Sequence, residues 1–237
     1  MSKIKNKIKR VITKWISRGK AYLKTGKFIV VTPHRLQMLE IAMQYVKNEK
    51  VQGEYFEFGV ARGLTFAGAY LLSRKYETQI RKFYAFDSFC GFPELGEIDR
   101  EFERFKTGEE SWSIVEFDET LKKADVDREQ VEIVKGWFRD TLNSNLSTQL
   151  SDLNAKASIV WIDCDLYESS KQALNFIAPF LQNGSVVIFD DWYCYHSDPS
   201  KGEQRALAEF LSENSTIQFT QYRKFGIVGN SFIVTVT

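Results

Sequence analysis

Histidine is nearly absent from this 237-residue chain, cysteine and proline are scarce, and no apolar run is long enough to cross a bilayer. Each gap excludes something. With only His34 and His196, a histidine-rich zinc site is ruled out, so any metal must be held by oxygen, which favours a hard ion. Cys90, Cys164 and Cys194 lie far apart, lack CxxC spacing and are odd in number. They read as reduced thiols of a cytosolic protein. The N-terminus carries no apolar signal-peptide core, so secretion is not indicated. The length suits one sizeable domain with a buried core.

Acid is missing from one place only. Residues 1–27 hold ten Lys or Arg and no Asp or Glu, which leaves 22 basic against 31 acidic residues in the remainder, a balance of −9. A body of that sign is not a nucleic-acid binder, whose footprint would be a basic face on the folded domain. In "MSKIKNKIKRVITKWISRGKAYLK", Ile4, Ile8, Val11, Ile12, Trp15 and Ile16 fall at helical spacing with Lys and Arg opposite. Such a helix either makes peripheral contact with an anionic membrane through residues 1–27 or packs on the domain or on a second subunit of a homo-oligomer. A second helix is expected in "TPHRLQMLEIAMQYVKN", with Pro33 near its start and Leu36, Leu39, Met43 and Val46 on one face. The chain thus divides into a basic amphipathic helical extension, residues 1–48, and a domain over residues 49–237.

From residue 54 onward short apolar runs alternate with amphipathic ones. Strands are predicted at 54–59, 82–87, 131–135, 157–163 and 185–190, with helices near 64–75, 112–124, 141–151, 168–182 and 202–213. That alternation is the signature of a doubly wound parallel sheet with helices on both faces. "STIQFTQYRK" and "SFIVTVT" read as a closing antiparallel hairpin at the sheet edge, and the charged stretch 94–111 as a mobile loop or lid.

In an open α/β sheet ligands bind outside the carboxyl ends of the strands. Gly59, Asp87, Asp163, Asp190 and Asp191 all fall at such ends. An Asp alone commonly ends a strand or caps the next helix; four on one rim are harder to dismiss. The turn "FEFGVARG" supplies glycines for close backbone approach to a ligand, and Glu57 before it suits a cationic group. Asp87 suits the two hydroxyls of a ribose. Gly136 and Trp137 frame the face of a base, or Trp137 and Phe138 are core aromatics. Asp163 and the adjacent Asp190 and Asp191 are costly to bury unless something positive neutralises them. No Lys or Arg lies within either run; Lys171 and Arg205 are the cations expected to approach. A divalent cation is the economical solution. The reading requires Asp163 to lie beside the Asp190–Asp191 pair with no arginine neutralising them.

In order and spacing, "FEFGVARG", "YAFDSFCGFP", "GWFRDTL", "IDCDLYESS" and "VVIFDDW" resemble the macrocin O-methyltransferase family over roughly residues 50–215. The resemblance implies a Rossmann-like class I methyltransferase fold, with a mostly parallel seven-stranded sheet, and an S-adenosylmethionine- and Mg²⁺-dependent enzyme methylating a sugar or glycoside hydroxyl. It implies that Glu57, Gly59, Arg62 and Gly63 belong to the turn at the methionine part of the cofactor. Asp87 and Ser88 would meet the ribose, and Gly136 and Trp137 the adenine. Asp163, Asp190 and Asp191 would hold Mg²⁺. The turn lacks the aromatic that often precedes its arginine, and "WYCYHSDPSKGEQRALAEF" matches the acceptor-side pattern only in part, with Arg205 shifted by one. A carboxylate must then take the acceptor's proton: Asp191 first, Asp165 second, with His196 a further candidate. Asp163 completes the catalytic acids, while Asp165 also reads as a helix cap. Cys164 and Cys194 lack a histidine partner and are not nucleophiles. Two other readings stand beside this one, a catechol-type methyltransferase and a non-catalytic scaffold tethered by its basic helix.

Overall fold

A computed structural model describes residues 20–22 and 28–237, with side chains from Val31 onward. The predicted basic helix, the membrane contact and most of residues 1–27 lie outside the described residues. Two short strands, β1 (Lys20–Tyr22) and β2 (Phe28–Val30), pair antiparallel with each other. A seven-stranded sheet follows. Its strands are β3 (Gly53–Phe58), β4 (Ile80–Asp87), β5 (Val131–Lys135), β6 (Ala157–Ile162), β7 (Val186–Phe189), β8 (Ile217–Phe225) and β9 (Gly229–Val236), in the order β5-β4-β3-β6-β7-β9-β8. Pairings from β5 to β7 are parallel, and β9 inserts antiparallel between β7 and β8. The expected α/β sheet with its closing hairpin is therefore present.

Central strands here are apolar on both faces because helices cover both. Every residue of β3, β6 and β7 is buried. One face sends Tyr55, Phe83, Ile159, Trp161 and Ile188 into a cluster with α1 (Pro33–Asn48), α2 (Leu64–Tyr76) and α4 (Ile114–Lys123). The alternate residues Phe56, Phe58, Phe86, Val160 and Phe189 face α6 (Ser144–Asp152), α7 (Tyr167–Ile177) and α8 (Gly202–Glu213). Phe58 and Phe86 stack at 4.5 Å, and burying a side chain of this kind contributes roughly 1.5–3 kcal/mol.

Three expectations change. The helix Pro33–Asn48, assigned to the extension, drives Leu36, Leu39, Ala42, Met43 and Val46 into the same core as the sheet, so that core begins well before residue 49. The segment 94–111 is docked rather than loose. It forms a short helix, α3 (Glu97–Arg100), and packs Leu95 and Phe105 on Leu166, Cys194 and Tyr195. The helix expected near 141–151 starts later, as α6, behind a separate short helix α5 (Phe138–Thr141), because the Asn143 side chain caps α6 by accepting from the Leu146 N–H at 3.1 Å.

Candidate active site

The chain order reverses between β3 and β6, the two neighbouring strands from which the connections run outward in opposite directions. Their carboxyl ends are the switch point where an open α/β sheet leaves a crevice. The ladder carries on just past the strands and fixes what comes next. Gly59 N–H donates to Phe86 O at 2.8 Å, Asp163 N–H to Phe58 O at 2.9 Å, and Asp190 N–H to Ile162 O at 3.0 Å. Gly59 has φ +85°, and a Cβ built there would lie 2.0 Å from the Asp163 carbonyl oxygen. Only glycine lets these two strand ends pass.

A cavity of about 800 Å³ opens over this rim. Gly59, Asp87, Ser88, Gly136 and Trp137 line it, and so do Asp163, Asp165, Asp190 and Asp191. Of the "GWF" aromatics, Trp137 and Phe138 both line the cavity, and Phe138 also packs edge-on against Phe58 at 5.8 Å. Asp87 is heavily engaged. One oxygen accepts from the Val60 and Ala61 N–H groups at 2.9 Å each, and the other from the Phe89 N–H at 2.7 Å. Burial raises its pKa, and these three backbone donors oppose the rise.

Other members of the expected cofactor set are placed elsewhere. The Arg62 guanidinium lies over the Trp112 ring at 4.5 Å from its centroid and does not line the cavity. Gly63 is the left-handed N-cap of α2, backed by the Phe117 ring. Glu57 is sealed beneath the strand end, where it accepts a hydrogen bond from the Tyr55 hydroxyl. Burial drives its pKa well above the usual carboxylate range, against the opposing pull of the Tyr55 hydrogen bond.

The acids do gather. Single oxygens of Asp163, Asp165 and Asp191 all lie within 4.8 Å of one another. The requirement that no arginine neutralise them is not met. Arg35, in the first turn of α1, reaches Asp163 with Nη1 at 2.8 Å from Oδ2 and Nη2 at 3.2 Å from Oδ1, and Nη2 also pairs with Oδ2 of Asp190. Asp190, expected beside Asp191 as a ligand, is turned to this guanidinium, while its Oδ1 is buried with no partner among the described residues. The cations expected here are engaged with Glu209 instead: Lys171 at 2.7 Å and Arg205 at 2.8 Å.

One guanidinium does not balance four carboxylates in a desolvated space. Burial raises Asp163 to about 7 and Asp190 to about 6, in both cases against the pull of Arg35. Asp165 is pushed well above the carboxylate range by burial and then by Asp191, and Asp191 is raised by burial and then by Asp163. Asp165 is not the cap of α7; that position is Leu166. It sits at φ +60°, with its carboxylate against that of Asp191. Cys194 donates its thiol to Asp191 Oδ1 at 3.2 Å, burial raising the thiol's pKa, so neither it nor the buried Cys164 is poised as a thiolate. His196 is exposed and lies edge-on to Phe102.

Sequence reading missed three residues. Arg35 is one. Glu203 is another: it is buried, accepts from the Asp191 N–H at 3.1 Å, and leaves its other oxygen unpartnered. Asp99 is the third, buried in the docked segment, where its Oδ1 accepts from the Tyr167 N–H at 2.9 Å and the Tyr195 hydroxyl at 2.6 Å. Nothing local marked Arg35 or Glu203. The apolar Leu95, Phe102 and Phe105 around Asp99 were a usable sign that its segment docks.

The sequence profile of the family described as Macrocin-O-methyltransferase (TylF) matches residues 18–216. The chain belongs to the macrocin O-methyltransferase family. A tetracenomycin rhamnosyl 4'-O-methyltransferase of Streptomyces olivaceus is 29% identical over 163 residues, covering 67% of this chain and 60% of that protein. Demethyldecarbamoylnovobiocin O-methyltransferase of Streptomyces niveus is 30% identical over 193 residues, covering 77% and 70%. This family member thus spans 60–70% of the length of these two relatives. Among solved structures, the O-methyltransferase NovP superposes with a TM-score of 0.67 at 23% identity over 85% of this chain and 79% of that one. The calicheamicin methyltransferase CalS11 does so with 0.67 at 23% identity over 84% and 77%. At that identity the likeness establishes the Rossmann-like class I methyltransferase fold for this family member.

Proposed function

We propose that this member of the family is an S-adenosylmethionine- and Mg²⁺-dependent O-methyltransferase acting on a hydroxyl of a sugar or glycoside. The observation that carries the reading is the cavity itself. Gly59, Asp87, Gly136 and Trp137 line the same cavity as a cluster of carboxylates at the switch point. Relatives named for methylating a rhamnosyl group and a mycinamicin 3'' hydroxyl support the acceptor class.

The residues fit a hard cation. Asp163, Asp165 and Asp191 offer oxygen ligands at close quarters, the Asp190 Oδ1 atom is buried and unpartnered, and the nearby thiols are protonated. Asp163, Asp165 and Asp191 are the side chains that would hold the ion, with Asp190 adjoining. A bound Mg²⁺ supplies Lewis acidity that makes an acceptor hydroxyl easier to deprotonate. The chain's own contribution is placement. Methyl transfer from a sulfonium is an in-line displacement, so holding the two reactants at the strand ends is the main task. The proton goes to a carboxylate, and Asp165 is favoured over Asp191 because the latter already accepts from Cys194.

The test is transfer of labelled methyl groups from S-adenosylmethionine to a panel of glycosides and catechols, with and without EDTA. Glycosides should be labelled, EDTA should abolish transfer, and Asp165→Asn should slow it by about 10²-fold or more. Indifference to EDTA would remove the ion, and preference for catechols would replace the acceptor class.

A further inference from the structure

We infer that Arg35 is a built-in counter-cation that competes with a divalent ion for Asp163, so that metal binding is an exchange rather than the filling of an open site. The inference rests on the cation reading above and concerns what that ion must displace.

Three observations carry it. First, the guanidinium grips both oxygens of Asp163 and one of Asp190, and Asp163 is also a member of the trio able to hold an ion. The same carboxylate cannot give its full lone-pair set to both. Second, Arg35 leaves the site undersupplied. Among the described residues Asp190 Oδ1 is buried without a partner, and no other Lys or Arg forms an ion pair with these acids. Third, Arg35 stands at the cavity wall. Its side chain is 29% exposed and lines the cavity, while α1 is anchored by different residues, Leu36, Leu39, Met43 and Val46. A long side chain at a cavity wall exchanges its partner for water without unfolding its helix.

The consequence is a metal affinity set below what the acids alone would give. Without any cation these carboxylates would repel and the strand ends would be destabilised. Arg35 relieves that, and the ion must win against it.

The experiment uses the full-length chain, freed of metal by a chelator and titrated with Mn²⁺, with the free ion followed by electron paramagnetic resonance. Arg35→Met keeps the length of the stem and removes the charge. It should bind Mn²⁺ about tenfold more tightly than the unsubstituted protein. Its metal-free melting temperature should fall, and saturating Mn²⁺ should raise it by more than it raises that of the unsubstituted protein. Arg35→Lys, which keeps a charge but loses the fork, should lie between the two. Equal or weaker Mn²⁺ binding by Arg35→Met would overturn the competition. Should that variant not fold, an affinity of Arg35→Lys equal to the unsubstituted protein's would overturn it as well. If neither the unsubstituted protein nor either variant binds Mn²⁺, the cation reading itself falls with it.

Discussion

Gly59 shows how much one missing methyl can determine. Its left-handed φ and the 2.0 Å approach of a Cβ to the Asp163 carbonyl are two separate penalties at one position. Gly108 provides the contrast, with φ +81° and nothing within 4 Å. Gly108→Ala should therefore cost only about 1 kcal/mol, the conformational part alone. Gly59→Ala should cost about 2–4 kcal/mol in urea unfolding, since backbone must also move. It should weaken calorimetric binding of S-adenosylhomocysteine as well. Equal losses at the two positions would show that steric approach is not what Gly59 serves. This glycine was visible in the sequence as a turn; its real constraint, a second strand end, was not.

Elements carry the next level. α7 begins at Tyr167, whose N–H is one of the orphan donors of a helix start, and the preceding Leu166 has no side chain to cap it. Asp99, from the docked segment 68 residues earlier, accepts that hydrogen bond and ties in Tyr195 at the same atom. The lid is thus fastened to the helix that follows the Asp163–Asp165 motif. Asp99→Ala should cost about 1–3 kcal/mol and open residues 94–111 to limited proteolysis before any other region. Cleavage at an unchanged rate would mean that the aromatic contacts alone hold the segment. The strands of the sheet were legible because burial on both faces leaves a plain apolar run. The lid misled because its charges sit on the outside, while Leu95, Phe102 and Phe105 take its inner side.

For the whole molecule, the acids' titration should appear as a stability difference. Asp163 and Asp190 have folded pKa values of about 7 and about 6, above their unfolded value near 3.8. Between those limits the folded state keeps protons that the unfolded chain has released, so this contribution falls as pH rises from about 4 through 7. Metal-free protein should lose about 1–3 kcal/mol relative to its Asp163→Asn variant across that window. Parallel melting curves would refute this. That the acids converge was readable, because each ends a strand of one sheet. That an arginine meets them was not, since it lies 128 residues from Asp163 and 155 from Asp190 and is brought there by packing of α1.

The contact between Gly59 and the Asp163 carbonyl also bears on how such an enzyme could diversify. The Gly59 turn and the Asp163 strand end abut through main chain, with no side chain between to lengthen or trim. On the proposed function, the reach from leaving methyl to attacking oxygen would then be a fixed gauge set by the fold. On the same reading, changes of acceptor taste would have to accumulate around the mouth, in the fastened lid whose Glu94, Leu95, Arg100 and Arg104 line the cavity, while the gauge stays put.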